Sequence, residues 1–387
     1  MRIRIFCLLQ VLMLIAIMGC KRSDDIVYLG TYRGMDRLIP YPFLIKTQND
    51  SISLIDNQGI VLDKIHKTEI STGDTLKFES KHLFIGKKKE EYFWIYDILD
   101  TLQFRFDKNG NPSPKSGAKF QKLKKATDLD IDQVKKTLTN NIWQYDVVKD
   151  DNSNPNYDLE ISQSLFFKND TVYLLKDYYY QGRKLISEYE TKLYSVFKVG
   201  DMILLSYSAT DRNSQPIFQI VNGSSEKIEI KDFSSRDSKI LNLRRVKTSS
   251  EEFLATISKT RQYSNCYDGY QGEYYFGDDV THRNGNAYIM KHISKELPNN
   301  ESKSGYIIVH FTINCRDQVG NFGLIQMDKK FKKMKFSPMI VDHIMQKVSE
   351  LDNWHSSQSA LDWLYYEDVH AFLMFKINSG KIVDVCP

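Results

Sequence analysis

The chain has 387 residues, of which 41% are hydrophobic, 12% aromatic and 26% charged. This is the composition of folded protein with room for two or three domains, and it excludes a disordered or low-complexity chain. Lys and Arg number 53 against 49 Asp and Glu, a net charge of +4, and the short basic runs at residues 87–89 and 329–333 read as solvated turns, so no nucleic-acid partner is expected.

The first residues, Met1-Arg2-Ile3-Arg4, are basic, and residues 5–18 are apolar except for Gln10. A bilayer span needs about 18–20 apolar residues, so a cleaved leader is expected rather than a permanent helix. The run ends Ile17-Met18-Gly19-Cys20. A small residue before a cysteine at the end of such a run resembles the bacterial lipobox. The resemblance implies cleavage before Cys20, acylation of Cys20 and a chain anchored to the membrane rather than spanning it. The alternative is an ordinary signal peptide with an incidental cysteine. No aspartate directly follows Cys20, and the acidic pair Asp24-Asp25 after Lys21-Arg22-Ser23 is similar to tags of surface lipoproteins. The expected location is the cell envelope, on the periplasmic side or the surface of an outer membrane.

Residues 20–125 read as a first β-rich domain. Phe43-Leu44-Ile45, Ser51-Ile52-Ser53-Leu54-Ile55, Ile60-Val61-Leu62, Thr75-Leu76-Lys77-Phe78, His82-Leu83-Phe84-Ile85, Tyr92-Phe93-Trp94-Ile95-Tyr96 and Leu102-Gln103-Phe104-Arg105-Phe106 are its strand candidates, separated by polar turns. Residues 126–142 form a helical linker, with Asp at the start of the helix predicted over residues 128–140. Residues 143–247 form a second β-rich domain, with strands around residues 165–167, 171–175, 193–197, 202–205, 217–220 and 240–243. An early Trp143 followed by a meander makes this half similar to lipocalins. The halves match each other at an offset of about 120 residues: Asn49-Asp50-Ser51-Ile52 against Asn169-Asp170-Thr171-Val172, and the basic stretch at 120–125 against that at 241–246. Two matches at one offset predict a duplication of antiparallel barrel or sandwich domains.

Residues 248–284 read as a polar connection and an aromatic-acidic segment containing Tyr267, Tyr270, Tyr274, Tyr275 and Phe276. That cluster is expected to pack on its own domain; a glycan surface is the other reading. Residues 285–387 carry clearer punctuation. A helix over 285–297 ends at Pro298, and Ile307, Val309, Phe311 and Ile313 share one face of a strand. A return strand covers 322–327. Ser337 and Pro338 start a helix whose Ile340, Val341, Ile344, Met345, Val348 and Leu351 form one apolar stripe. Trp354 follows, then a strand over 369–377, a turn, and a last strand at Ile382, Val383, Asp384 and Val385. This β-β-α-β order, with Gly305-Tyr306-Ile307-Ile308-Val309-His310-Phe311 and Trp354, resembles the C-terminal domain of TonB-type periplasmic proteins. The resemblance implies a small α+β domain whose edge strand pairs with a short segment of an outer-membrane receptor. In this chain that edge falls on Ile382 to Val385.

Little in the sequence points to chemistry. Cys266, Cys315 and Cys386 leave three disulfide pairings open, and Cys266 with Cys315 is preferred because Cys386 lies one residue from the end of the sequence. No His pair has helical ligand spacing. His310 and His370 fall on strands that can be neighbours and are read as ordinary strand histidines rather than metal ligands. Asp128-Leu129-Asp130-Ile131-Asp132 lacks the Gly and Glu of a calcium loop, and no nucleophile elbow or phosphate loop is present. The expectation is therefore a mainly β, lipid-anchored, non-catalytic binding or transport-associated protein without cofactor or metal. Two other readings remain: a barrel that binds a small ligand or glycan, and an envelope hydrolase.

Overall fold

The computed structural model describes residues 25–33, 38–56, 58–79, 81–97, 118–125, 129–147, 158–208, 217–233, 239–266, 271–273, 281–298, 301–355 and 368–386. Cys20, the strand expected at 102–106 and most of the aromatic-acidic segment lie outside them. The fold is mainly β, and the chain divides into two compact units. One comprises 1–32, 43–125 and 198–202, and the other 33–42, 126–197 and 203–387.

The first unit is built on one antiparallel sheet. Its strands are β1 (Ile26–Arg33), β2 (Leu38–Gln48), β3 (Ser51–Asp56), β4 (Val61–His66), β5 (Thr75–Lys77), β6 (His82–Lys88), β7 (Tyr92–Asp97) and β8 (Ala118–Lys122). Their order is β4-β3-β2-β1-β8-β7-β6-β5, so two four-strand meanders join through their first and last strands. The rings of Tyr28, Phe43, Phe93 and Phe120 form the centre of its core, with centroids 4.7–5.8 Å apart. Gly30 lies under this cluster because a Cβ there would stand 2.5 Å from the Phe120 ring.

The second unit begins with α1 (Ile131–Thr139) and continues with β9 (Ile142–Val147), β10 (Glu160–Lys168), β11 (Thr171–Tyr180), β12 (Arg183–Val199), β13 (Met202–Ser208), β14 (Ile217–Gly223), β15 (Lys227–Asp232) and β16 (Ile240–Val246). Each strand pairs with the next and β16 pairs back onto β9, closing an eight-stranded up-and-down barrel. The strand sequence is that of the first sheet, in which β4 and β5 do not pair among the described residues. The second hairpin of each is also alike. Gln48 pairs with Ser51 and Lys168 with Thr171, across two-residue turns in which Asn49 and Asn169 adopt φ of 48° and 52°. Asn tolerates this left-handed backbone, which matches the strand twist. The basic stretches that match in sequence run along or just past β8 and β16, the last strand of each meander.

Alternation fills the barrel. Trp143, Leu165, Phe167, Leu174, Leu205 and Ile220 belong to one buried cluster with Val134 and Leu138 of α1. The helix expected as a linker is thus part of the barrel core. Asp130 caps it by accepting the Gln133 N–H at 2.9 Å, and the Trp143 indole N–H donates to the Leu138 carbonyl at 3.2 Å.

The segment expected as a polar connection contains α2 (Ser250–Ile257). Ser249 and Glu252 form a reciprocal capping box, and Phe253 and Ile257 pack on Ile142, Phe166 and Leu175 of the barrel wall. The chain continues through β17 (Arg261–Gln262), β18 (Gln271–Glu273), β19 (Thr281–His282), α3 (Gly285–Ser294), β20 (Gly305–Ile313), β21 (Val319–Asp328), α4 (Pro338–Ser349), β22 (Trp354–His355), β23 (Asp368–Asn378) and β24 (Lys381–Cys386). Strand β20 lies between β21 and β23. The far side of β23 pairs with β18 in parallel and with β24 in antiparallel fashion. Ile307, Val309 and Phe311 of β20 and Leu373 and Phe375 of β23 share a core with Ile289 and Ile293 of α3 and the apolar stripe of α4. Trp354 is buried against Phe311, with ring centroids 5.2 Å apart.

The barrel and the C-terminal sheet share that core. Tyr178, Tyr180 and Leu185, on the outer part of the β11–β12 hairpin, belong to the same cluster as Phe322 and Ile340.

Candidate functional site

The C-terminal sheet has two edges, and they are treated differently. At the β21 edge, Asp158 N–H donates to the Leu324 carbonyl at 2.8 Å, and Asn321 N–H reaches the Glu188 carboxylate at 3.2 Å. The Tyr178 hydroxyl donates to Glu188 at 2.5 Å and accepts the Phe322 N–H at 3.3 Å. Backbone groups that an edge strand would otherwise offer are therefore occupied by the barrel hairpin and its lead-in. Burial and the neighbouring Glu188 charge push the Tyr178 phenol well above its ordinary value, so it stays a donor to the carboxylate.

The β24 edge is packed by α3, but among the described residues no further strand pairs with the outer side of β24. Its four singled-out residues divide by role. Ile382 and Val385 are buried in the core shared by α3 and β23, whereas Asp384 is exposed and Val383 is 47% exposed. The division follows from a bulge: Ile382 pairs with Ile377 and Asp384 with Lys376, leaving Val383 as the extra residue. A bulge twists an edge strand and breaks its regular spacing, and with exposed Lys381 and Asp384 it disfavours indiscriminate edge-to-edge pairing. A segment that adds here must match this spacing and carry compatible charge.

Cys266 and Cys315 are joined by a disulfide with Cα atoms 5.9 Å apart, and Cys386 is free and exposed. The Cys266 N–H donates to both oxygens of buried Asp368 at 3.0 and 2.9 Å. Together these contacts tie the segment leading into β18 to the β20–β21 turn and to the start of β23. His310 and His370 do come together, on the sheet face away from the helices, with ring nitrogens 3.3 Å apart.

Where the barrel meets the C-terminal sheet, Gln163, Lys176, Glu188, Glu190, Tyr263 and Asn321 line a polar cavity of about 90 Å³. Lys176 donates to Glu188 at 3.3 Å and to Asn321 Oδ1 at 2.7 Å. No window of sequence contains this cluster: Gln163, Lys176, Glu188 and Glu190 come from β10, β11 and β12, whereas Tyr263 follows β17 and Asn321 lies on β21. A second cavity of about 60 Å³ lies beside α1, between Gln133 and Ile228. No described helix is long and apolar enough to cross a membrane.

Comparison with protein-family models, with curated proteins and with solved structures returned no match. What the structure itself defines is a mainly β protein in which a closed barrel and an α+β sheet share a core.

Proposed function

We propose that this chain is a lipid-anchored protein of the cell envelope, held to the outer membrane through Cys20, that binds a partner protein by adding an extended segment of it to β24. The observation that carries the reading is the asymmetry of the C-terminal sheet: one edge is capped by the barrel hairpin, while no described strand pairs with the outer side of β24, where Val383 and Asp384 are exposed. The element order α3-β20-β21-α4-β23, with β20 central, adds to the resemblance to the TonB C-terminal domain, which implies strand addition and an outer-membrane receptor as partner. Nine prolines in the whole chain leave no Pro-rich spacer, and a lipid cannot relay force from an inner-membrane motor. Docking without energy transduction is the role assigned.

A small-ligand reading has one observation in its favour, the polar cavity of about 90 Å³. That space suits a handful of waters or a very small polar solute. The barrel interior beside it is filled by Trp143, Phe167 and their neighbours, so an apolar ligand or a sugar has no place there without rearrangement.

The test is co-purification of the intact lipidated chain from solubilised envelope, compared with Val383→Pro. Proline is tolerated at a bulge but narrows the backbone geometry available to an added strand. Recovery of a specific outer-membrane protein that is lost in the variant supports docking. Equal recovery by both chains, or none by either, removes β24 as the docking edge.

A further inference from the structure

The basic run at 329–333 forms the turn that leaves β21, and hydrogen bonds fix it closely. Asp328 N–H donates to the Lys332 carbonyl at 2.8 Å and Phe331 N–H to the Asp328 carbonyl at 3.0 Å. The Asp328 carboxylate takes the Lys330 and Lys332 N–H groups at 2.7 and 3.0 Å. Within this turn Phe331 has φ of 60° and is 68% exposed. A left-handed backbone suits Asn or Gly, whereas a bulky ring there is strained. An apolar ring in water also forgoes the gain of burial. Among the described contacts it is compensated by a stack on Tyr306, with centroids 5.3 Å apart and planes 5° apart. A residue disfavoured both by its backbone and by its exposure marks a function rather than a need of the fold.

The surroundings are basic. Register brings three segments to this end of the sheet: Gly305 pairs with Asp328 on one side and Ile377 on the other, and Asn378 pairs with Lys381. Lys303, Lys329, Lys330, Lys332, Lys333 and Lys381 are all exposed there. The Lys329 ammonium reaches Asn378 Oδ1 at 3.4 Å, which joins the turn to the β23–β24 connection. The nearby carboxylates are already engaged. Asp328 holds the turn, Glu301 accepts the Lys303 and Ser337 N–H groups at 2.9 and 2.6 Å, and Asp158 pairs with Lys333 at 3.3 Å. Lys330 and Lys332, which flank the ring, form no ion pair among the described residues.

We propose that this turn is a membrane-contact site. Phe331 enters the headgroup region of an anionic phospholipid bilayer, and Lys330 and Lys332, with the lysines beside them, hold the phosphates around it. An apolar ring on an exposed turn gains by leaving water for the acyl boundary. Lysines keep their ammonium groups at headgroup level while their stems follow the ring inward. An acidic protein partner would use the lysines but leaves the strained, exposed ring unexplained. The proposal rests on the envelope location assigned above and not on β24 as a docking edge.

The experiment adds the purified full chain to vesicles and reads the turn locally. In Phe331→Trp the introduced indole should emit further to the blue on vesicles of phosphatidylethanolamine and phosphatidylglycerol. Bromine on their acyl chains should quench it, with the parent chain reporting the other tryptophans. Phosphatidylcholine vesicles, or about 0.5 M salt, should abolish both effects. A lysine near an anionic surface is worth about 5-fold in affinity, so Lys330→Glu with Lys332→Glu should raise the lipid concentration for half quenching by at least about 25-fold. Phe331→Asn should unfold in urea no earlier than the parent; a midpoint lowered by more than about 0.5 M returns the ring to the fold and overturns the proposal. No quenching, equal quenching on phosphatidylcholine, or quenching that survives the charge reversal also overturns it. So does retention on immobilised polyaspartate without quenching on vesicles, the outcome for an acidic polypeptide partner. Co-flotation of the lipidated chain with the introduced indole unquenched strikes this site and leaves the anchor at Cys20 standing. Quenching in a chain found to carry no lipid supports the site and strikes the anchor.

Discussion

Replacing Glu188 with Ala tests whether the barrel and the C-terminal sheet form one cooperative unit. The Glu188 side chain is 7% exposed and its Lys176 partner 23% exposed. The carboxylate takes hydrogen bonds from the Tyr178 hydroxyl at 2.5 Å, the Lys176 ammonium at 3.3 Å and the Asn321 N–H at 3.2 Å. Alanine leaves the hydroxyl and the backbone N–H buried without this acceptor, while Lys176 keeps its 2.7 Å contact to Asn321. Breaking a buried pair by removing one partner costs about 3–5 kcal/mol; the partial exposure of Lys176 places this case near about 3 kcal/mol. For a unit of this size that corresponds to a fall in Tm of roughly 6–12 °C. Urea unfolding, followed by circular dichroism and tryptophan fluorescence, is the assay, with exposed Glu160→Gln as the neutral control. A loss below about 1 kcal/mol, or a variant in which the β20–β24 sheet unfolds in a separate transition while the barrel keeps its midpoint, would refute the shared-core reasoning.

Further outcomes follow from the same contacts. Substituting both Cys266 and Cys315 with Ser opens a loop with a sequence separation of 49 and should cost about 4 kcal/mol in denaturant unfolding by the loop-entropy estimate. Trp143→Ala removes a side chain of 0% exposure and its bond to α1, and should lower stability by about 3–5 kcal/mol in the same assay. His282 is held below its ordinary value of 6.5, chiefly by burial. The unfolded chain therefore binds the proton first: the stabilising effect of the neutral ring is complete above the unfolded value and is lost as pH falls below it. Trp354 fluorescence during unfolding should report this acid sensitivity, and His282→Gln should reduce it. Cys20→Ser should abolish incorporation of labelled fatty acid into the chain; undiminished labelling would remove the anchor from the account.

The legibility of the sequence followed the local strength of each signal. The helix from Pro338 was readable because Ser337-Pro338 marks its start and an apolar stripe runs its length, and β20 because its alternation is unbroken. The first strand, Ile26–Arg33, is hard to read in the sequence: Gly30 interrupts its pattern, for a reason that exists only in three dimensions, the Phe120 ring above it. The helix Ser250–Ile257 reads as polar, although Ser249 and Glu252 spell its capping box, because only two of its residues, Phe253 and Ile257, are buried. The duplicated Asn-Asp turn pointed to two related meanders, and both sheets have that order. Barrel closure, the insertion of α1 and the β11–β12 hairpin on the C-terminal sheet all depend on long-range pairings that no window of sequence contains. The edge at Ile382 to Val385 was visible as a short strand, but the bulge at Val383 is a matter of register with β23.

Docking at β24 is tested most directly by a photo-cross-linking residue placed in turn at Lys381, Val383 and Asp384 of the lipidated chain in intact cells, with Met327 on β21 as the comparison site. The account predicts one outer-membrane partner captured from the β24 positions, the cross-links mapping to neighbouring residues of a single extended segment, and little yield from Met327. Equal capture from both edges, or cross-links scattered over unrelated surfaces, would contradict it.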